Sequence, residues 1–526
     1  MRDLHLPGRS PVWADNGLCA TSHPIAANVA LDLLKRGGNA MDAAIAGAVA
    51  LGVCEPPMCG LAGDCFALVK PAGEDRVLSY NGSGRSPAGA ADDARAMRAA
   101  GLTAIPDRDA RAVTLPGAVA AFDEMSALWG RLGLADSLAP AIAYFEAGVP
   151  VHARVAFDFA RSAGRLDAHA ARHLMPTGRA PVEGQRLALP GQAEVLRRIA
   201  RDGARAFYEG EVAEDMLSAL AAAGGSHTAE DFASTRGERT EPIQGQYKGA
   251  ALYEHPPNGQ GATAILMLNI LAQFDLAALD PFGAARTHIE AEAAKLAYAA
   301  RNRFIADADT AGAEKLLDPS FAAELAARID PARASAVPDQ LSGAPHRDTV
   351  YITVVDRDRM AVSLIYSVFH AFGSGIGTDK FGLVLHNRGC GFTLEEGHGN
   401  TLAPRKRPLH TIIPAMLAED GAPNLPFGVM GGQYQAAGHA RFVTNLRDYG
   451  LSPQEAIDAP RAFPEEGKLQ LERGYAPEIA AQLQDMGHEV VTPDGPIGGA
   501  QAIRIHASGV MEAGSDPRKD GCAVGY

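Results

Sequence analysis

The stretch TVYITVVDRDRMAVSLIYS, residues 349–367, is two β-rich runs joined through Asp356–Arg359, and its reading decides the fold. Val, Ile, Tyr and Thr dominate both runs, and turn residues separate them. Folding the runs about a turn near Arg357 and Asp358 sets position 349 opposite 366 or 367, so Ser367 is expected beside Thr349. Both runs are apolar on both faces, which predicts strands buried in a shared sheet. Upstream, DPARASAVPDQLSGAPHRD, residues 330–348, is rich in Ala, Pro, Ser and charge and has no sustained apolar periodicity. A hydroxyl residue thus stands where a linker meets a strand. Were the Asp348–Thr349 bond cut, Thr349 would carry both a hydroxyl nucleophile and an α-amine to act as its base, with Ser367 as an orienting group. A plain hairpin with small polar ends fits the same pattern.

The 526 residues are 47% hydrophobic and 21% charged, the balance of a soluble globular protein. Acidic residues number 62 against 48 basic, a net charge of −14 with no long basic run, which argues against nucleic acid and anionic membrane as partners. The apolar run AAIAGAVALGV at 43–53 is shorter than the roughly 20 residues that span a bilayer. The opening MRDLHLPGRSPVWADNG lacks the apolar core of a secretory signal, so a cytoplasmic location is expected. Cys19, Cys54, Cys59, Cys65, Cys390 and Cys522 form no CxxC pair, and no zinc-type spacing occurs, so neither metal nor cofactor is implied.

Apolar periodicity predicts helices at 24–36, 39–53, 116–129, 191–202, 211–223, 259–275 and 284–306, with short strands near 66–70, 77–80 and 248–253. The second half reads as strands at 350–356, 360–366, 382–386, 411–417, 427–430, 468–472, 501–505 and 509–513, with helices near 435–448 and 475–486. Clustered strands with helices before and after predict sheets packed between helical layers. The boundary at 330–348 divides the chain into residues 1–348 and 349–526, and the apolar opening hairpin of the second piece ties it to the first.

Seven stretches, in order, resemble the gamma-glutamyltransferase family of self-processing N-terminal-nucleophile hydrolases: GGNAMDAAIAGAVALGVCEP (37–56), GLAGDCF (60–66), LPGAVAAF (115–122), PPNGQGATAILMLNIL (256–271), DTVYITVVDRDRMAVSLIYSVFHAFGSGI (348–376), RPLHTIIPAM (407–416) and MGGQYQAAGHARF (430–442). The resemblance implies an α+β fold, a four-layer αββα sandwich. It also implies a precursor cut between Asp348 and Thr349 into intertwined large (1–348) and small (349–526) subunits, with a homodimer of such heterodimers as one possible assembly. Thr349 would be the nucleophile, Ser367 the hydroxyl near it, and the backbone N–H groups of Gly431 and Gly432 the donors to the tetrahedral oxyanion.

The chain departs from the gamma-glutamyl enzymes where they hold the amino-acid end of their substrate. The family's asparagine position is Phe369, its acidic position is Gly391, its paired serines are His410 and Thr411, and its arginine position is Ser83, with Arg85 two residues on. These changes remove acceptors for a substrate ammonium and keep donors suited to a carboxylate. They point toward the family's oxamate amidohydrolase-like and acylase-like branch, with a small carboxylate-bearing amide as substrate. Arg85 is the candidate carboxylate clamp, a planar guanidinium able to make two parallel hydrogen bonds. His410 and Thr411 are candidate donors beside it, and Phe369 a residue that narrows the pocket. Gamma-glutamyl transfer or glutathione hydrolysis is the alternative activity, and an unprocessed ligand-binding relative is the alternative outside enzymes.

Overall fold

The computed structural model describes residue 5 and residues 8–307, 310–336 and 349–526. Two seven-stranded sheets form its centre. The first runs Cys522–Gly525, Leu18–Thr21, Val350–Val355, Ala361–Ser367, Asp64–Lys70, Leu78–Gly82, Glu238–Thr240. The second runs Val12–Ala14, Met511–Ser515, Gly499–Ile505, Ala422–Met430, Ala415–Glu419, Ala250–Glu254, Ile243–Tyr247. Each of these two sheets mixes strands from both sides of residue 348, so neither belongs to one piece alone.

The hairpin explains the layering. Val350, Ile352 and Val354 point into the core beneath the helix Ala40–Cys54, while Tyr351 and Ile365 point the other way and pack with Phe66, Ile412 and Met430 between the sheets. Alternate side chains of one strand therefore serve two cores, which is why its pattern is apolar on both faces. The sheets approach closely at Gly428: a Cβ there would lie 2.3 Å from the Tyr351 ring, so only glycine admits the ring. Ser363 completes the contact, its hydroxyl donating to the Phe427 carbonyl at 3.2 Å.

Helices cover both outer faces. Ala40–Cys54 starts at a capping box between Asn39 and Asp42 and is buried throughout, because the sheet lies under it and the helices Pro24–Lys35 and Leu134–Ala147 lie against it. On the second sheet, Gly261–Leu271, Ala284–Phe304 and Gln435–Arg447 share one core with Leu252, Leu417, Phe427 and Val429. The order is helix, sheet, sheet, helix, an α+β sandwich. No helix among the described residues is long and apolar enough to cross a membrane.

Two expected strands differ. Residues 382–386 form no strand: Gly382 takes φ +66°, and the segment turns back so that the Leu385 N–H bonds to the Ile376 carbonyl at 3.0 Å. The strand expected from 411 begins at Ala415, since Pro414 has no N–H to give and the groups before it are committed to side chains: the Ile413 N–H donates to Gln435 Oε1 at 2.9 Å, and the Thr411 carbonyl accepts from Gln260 Nε2 at 2.6 Å.

Candidate active site

The hairpin register pairs Val350 with Tyr366 and Tyr351 with Ile365, which sets Thr349 opposite Ser367 at the open end of the pair. Thr349 is buried there, and its Oγ1 donates to Ser367 Oγ at 3.3 Å. Ser367 Oγ in turn accepts from the Phe369 N–H at 2.9 Å. Met430, the last residue of the strand Ala422–Met430, packs in the cluster that holds Tyr351 and Ile365, so the glycines after it emerge at the end of the sheets where Thr349 lies. Gly431 takes φ +122° and Gly432 φ +56°. A Cβ on Gly431 would also stand 2.8 Å from Gly498 Cα, so conformation and space both demand glycine.

Gln260 and Arg301 fix this turn from below. Gln260 Nε2 donates to the Thr411 carbonyl at 2.6 Å and the Gly432 carbonyl at 3.3 Å, while its Oε1 accepts from Arg301 Nη1 at 2.8 Å. Arg301 also bonds Gln433 Oε1. Its guanidinium, wholly buried with no carboxylate partner among the described residues, is pulled down to about 10 by that burial.

Asp64 sits across from Ser367 on the neighbouring strand and organises the other wall. Its Oδ1 accepts from the backbone N–H groups of Gly84 and Gly117 at 3.0 and 3.1 Å, and its Oδ2 faces His410 Nε2 at 3.3 Å and His386 Nδ1 at 3.4 Å. Burial opposes the charge, but the facing imidazoles overcome it and hold the carboxyl below its ordinary range. His410 is the neutral partner: burial, aided by the Arg388 charge, pushes it down to about 3. Its Nδ1 accepts from the Ile412 N–H at 3.4 Å, and its ring rests against Phe66. Both ring nitrogens are therefore engaged inside the protein, one facing Asp64 and the other accepting from the Ile412 N–H.

Arg388 carries the unspent charge. It lies in the short turn Arg388–Gly391 and is fully buried, 0% exposed. Nη1 donates to Thr411 Oγ1 at 3.1 Å, but among the described residues Nε and Nη2 have no hydrogen-bond partner, and the Asp64 carboxylate is 4.0 Å from Nε. Burial pulls the guanidinium down to about 9, with Asp64 opposing. The Phe369 ring covers it at 3.9 Å from ring centre to guanidinium carbon, and Phe369 itself is held at φ +79°, a conformation an L side chain adopts only at a cost. Thr349, Ser367, Phe369, Arg388, Thr411, Gln260 and Gly432 thus form one chain of contacts.

Arg85 does not join it. Its Nη1 is committed to Asp307 at 2.9 Å and the Arg405 carbonyl at 3.1 Å, with Glu238 at 3.8 Å, and its side chain is 39% exposed. A cation already paired and open to water is a poor carboxylate clamp. Ser83 is buried in a polar cluster with Asn81 and Asn258, its hydroxyl 2.7 Å from Asn81 Oδ1. Asp348 lies outside the described residues. Sequence reasoning overlooked Asp64, Gln260, Arg301 and Arg388. Arg388 stood inside HNRGCGF, where its sequence signal was an arginine opening a glycine-rich turn.

The gamma-glutamyltranspeptidase family model matches residues 26–526. The glutathione hydrolase-like YwrD proenzyme of Bacillus subtilis is 37% identical over 97% of this chain and 98% of its own length. The oxamate amidohydrolase proenzyme of Klebsiella pneumoniae is 34% identical over the same shares. Among solved structures, a cephalosporin acylase from Bacillus halodurans superposes with a TM-score of 0.92 at 37% identity, covering 100% of this chain and 98% of that one. The chain belongs to the gamma-glutamyltranspeptidase family, as an N-terminal-nucleophile hydrolase of the branch that holds these amidohydrolase and acylase relatives.

Proposed function

We propose that the protein cuts itself between Asp348 and Thr349 and then hydrolyses a small amide bearing a carboxylate, with oxamate as the type of substrate. The observation that carries the substrate class is the buried Arg388 guanidinium, two of whose nitrogens lack an acceptor among the described residues while its third holds Thr411. A substrate carboxylate supplies the missing acceptors and counter-charge in one group. Phe369, lying over the guanidinium, limits how far the substrate extends beyond that carboxylate. Neither the Phe369 side chain nor Gly391, which has none, offers a side-chain acceptor for an α-ammonium, which disfavours gamma-glutamyl substrates.

In this reading Thr349 Oγ1 adds to the amide carbonyl, and the new α-amine takes the hydroxyl proton. Such an amine has an ordinary pKa of about 7.7–8.0, suited to passing protons near neutrality. The N–H groups of the Gly431–Gly432 turn receive the oxyanion. The amine then protonates the leaving nitrogen, the C–N bond breaks, and the acyl group stays on Thr349 as an ester. Water, deprotonated by the same amine, cleaves the ester and frees the acid.

A denaturing gel with N-terminal sequencing, followed by a substrate panel, tests both parts. Expected are two fragments, the second beginning at Thr349, and faster turnover of oxamate or glutaryl amides than of glutathione or a gamma-glutamyl anilide. Full activity in uncut chain overturns the cleavage; the reverse order of substrates overturns the specificity.

A further inference from the structure

His288, Glu292 and His488 offer three ligand atoms that lie within 4.8 Å of one another, in residues that are all buried. His288 and Glu292 stand one turn apart on the helix Ala284–Phe304, so both face the same way. His488 comes from the turn before the short strand Val490–Val491. His288 Nδ1 is 2.8 Å from His488 Nε2, and His288 Nε2 is 2.8 Å from the Asp330 carbonyl. A carbonyl only accepts, so Nε2 carries the proton and Nδ1 turns a bare lone pair toward His488.

We propose that this trio is a binding site for a divalent zinc-type cation, held by His288 Nδ1, His488 Nε2 and the Glu292 carboxylate. Two imidazoles and a carboxylate are a donor set zinc accepts, and tetrahedral bonds of about 2.0–2.1 Å put ligand atoms roughly 3.3 Å apart, so the imidazoles need to separate by about half an ångström. The supporting shell exists: the Asp330 carbonyl fixes the His288 ring, and the Ser335 N–H and hydroxyl bond Glu292 Oε2. The competitor is Lys295, whose ammonium donates to Glu292 Oε1 at 2.6 Å. Lys295, Ser335 and His488 also border a cavity of about 260 Å³, which gives the ammonium room to withdraw and leaves a fourth position open to water.

The site joins residues from both sides of the proposed cut and holds the segment that leads toward it. After cleavage the cation would staple the large piece to the small one. That role rests on the cleavage proposed above; the binding itself does not.

The test uses chelator-treated full-length protein, wild type and Thr349→Ala, titrated with ZnCl2 by calorimetry and with Co2+ by visible absorption. Expected are one equivalent of zinc per chain in both proteins, a Co2+ spectrum of tetrahedral intensity, and at least 100-fold weaker zinc binding in His488→Ala and Glu292→Gln. Glu292→Gln keeps the side-chain shape, so it reports on the site even if His488→Ala folds poorly. Absence of saturable one-to-one binding, or undiminished binding in both variants, overturns the site. If cleavage fails but zinc still binds one-to-one, the site stands and only the staple falls; in cut protein, zinc should slow separation of the fragments in urea.

Discussion

Replacing Arg388 with Gln separates a substrate-binding role from a structural one. This guanidinium is fully buried, has two nitrogens without a partner among the described residues, and lies 4.0 Å from the Asp64 carboxylate. It is a charge taken out of water without full compensation, so removing it should leave thermal stability unchanged or raise it. Gln retains an amide N–H for Thr411 Oγ1, and Asp64 keeps its bonds from Gly84 and Gly117. With substrate bound the balance reverses, because the variant leaves a buried carboxylate without its cation, a loss of about 3–5 kcal/mol. At about 1.4 kcal/mol per tenfold, kcat/KM for oxamate should fall by roughly 10²–10³-fold or somewhat more. Arg388→Lys should recover only part of this, since a point charge cannot make two parallel bonds. The assay is ammonia release under kcat/KM conditions beside calorimetric melting, with a neutral amide of equal size as control. A kcat/KM within threefold of wild type, or an equal fall for the neutral amide, refutes the clamp.

Ser367→Ala removes the hydroxyl 3.3 Å from Thr349 Oγ1 and the acceptor of the Phe369 N–H. Fragment appearance on a gel should slow, and urea unfolding should show a loss of about 1–3 kcal/mol. Gly431→Ala forces a Cβ to 2.8 Å from Gly498 Cα at φ +122°, so the turn must shift; kcat should drop by roughly 10²–10³-fold, as for loss of an oxyanion donor, with KM changing much less. The Asp64 carboxyl is depressed in the folded state, so its stabilisation is complete above the unfolded value of about 3.9 and is lost as pH falls toward the folded one. Unfolding free energy measured from pH 7 to 3 should therefore decline on the acid side, and Asp64→Asn should start lower and decline less steeply.

What the chain disclosed about itself divides by range. The hairpin was legible because strand alternation and turn chemistry are local, and its register alone sets Thr349 opposite Ser367. The glycine pair stood out through the resemblance of MGGQYQAAGHARF to a family motif, and the structure gives a physical reason for glycine there, a left-handed turn and a close approach at Gly431. Residues 382–386 misled because a short apolar run looks the same whether it joins a ladder or folds back on a neighbour. Arg85 and Arg388 show the deeper limit. As letters they are equal, and Arg85 stands nearer the family's arginine position; what separates them is Asp307, 222 residues from Arg85, and the burial of Arg388 beneath Phe369. Whether a cation is already paired depends on tertiary contacts. The same holds for His288 and His488, which meet across 200 residues.

The sheet order decides what a cut before Thr349 can do. The strand Val350–Val355 lies between Leu18–Thr21 and Ala361–Ser367, and Cys522–Gly525 closes the same sheet on the far side of Leu18–Thr21. A strand of the first piece is thus clasped on both sides by strands of the second. The second sheet repeats the interleaving, with Val12–Ala14 on Met511–Ser515 and Ala250–Glu254 on Ala415–Glu419. Breaking the 348–349 bond severs no ladder, so it frees a terminus without freeing a fragment. Releasing either piece requires opening both sheets together, and each contributes to buried cores shared across the cut. Cleaved protein should therefore elute as one species in native gel filtration and unfold in urea in a single transition. Separation of the fragments below the global unfolding midpoint would show that the two pieces hold independent cores, contrary to this topology.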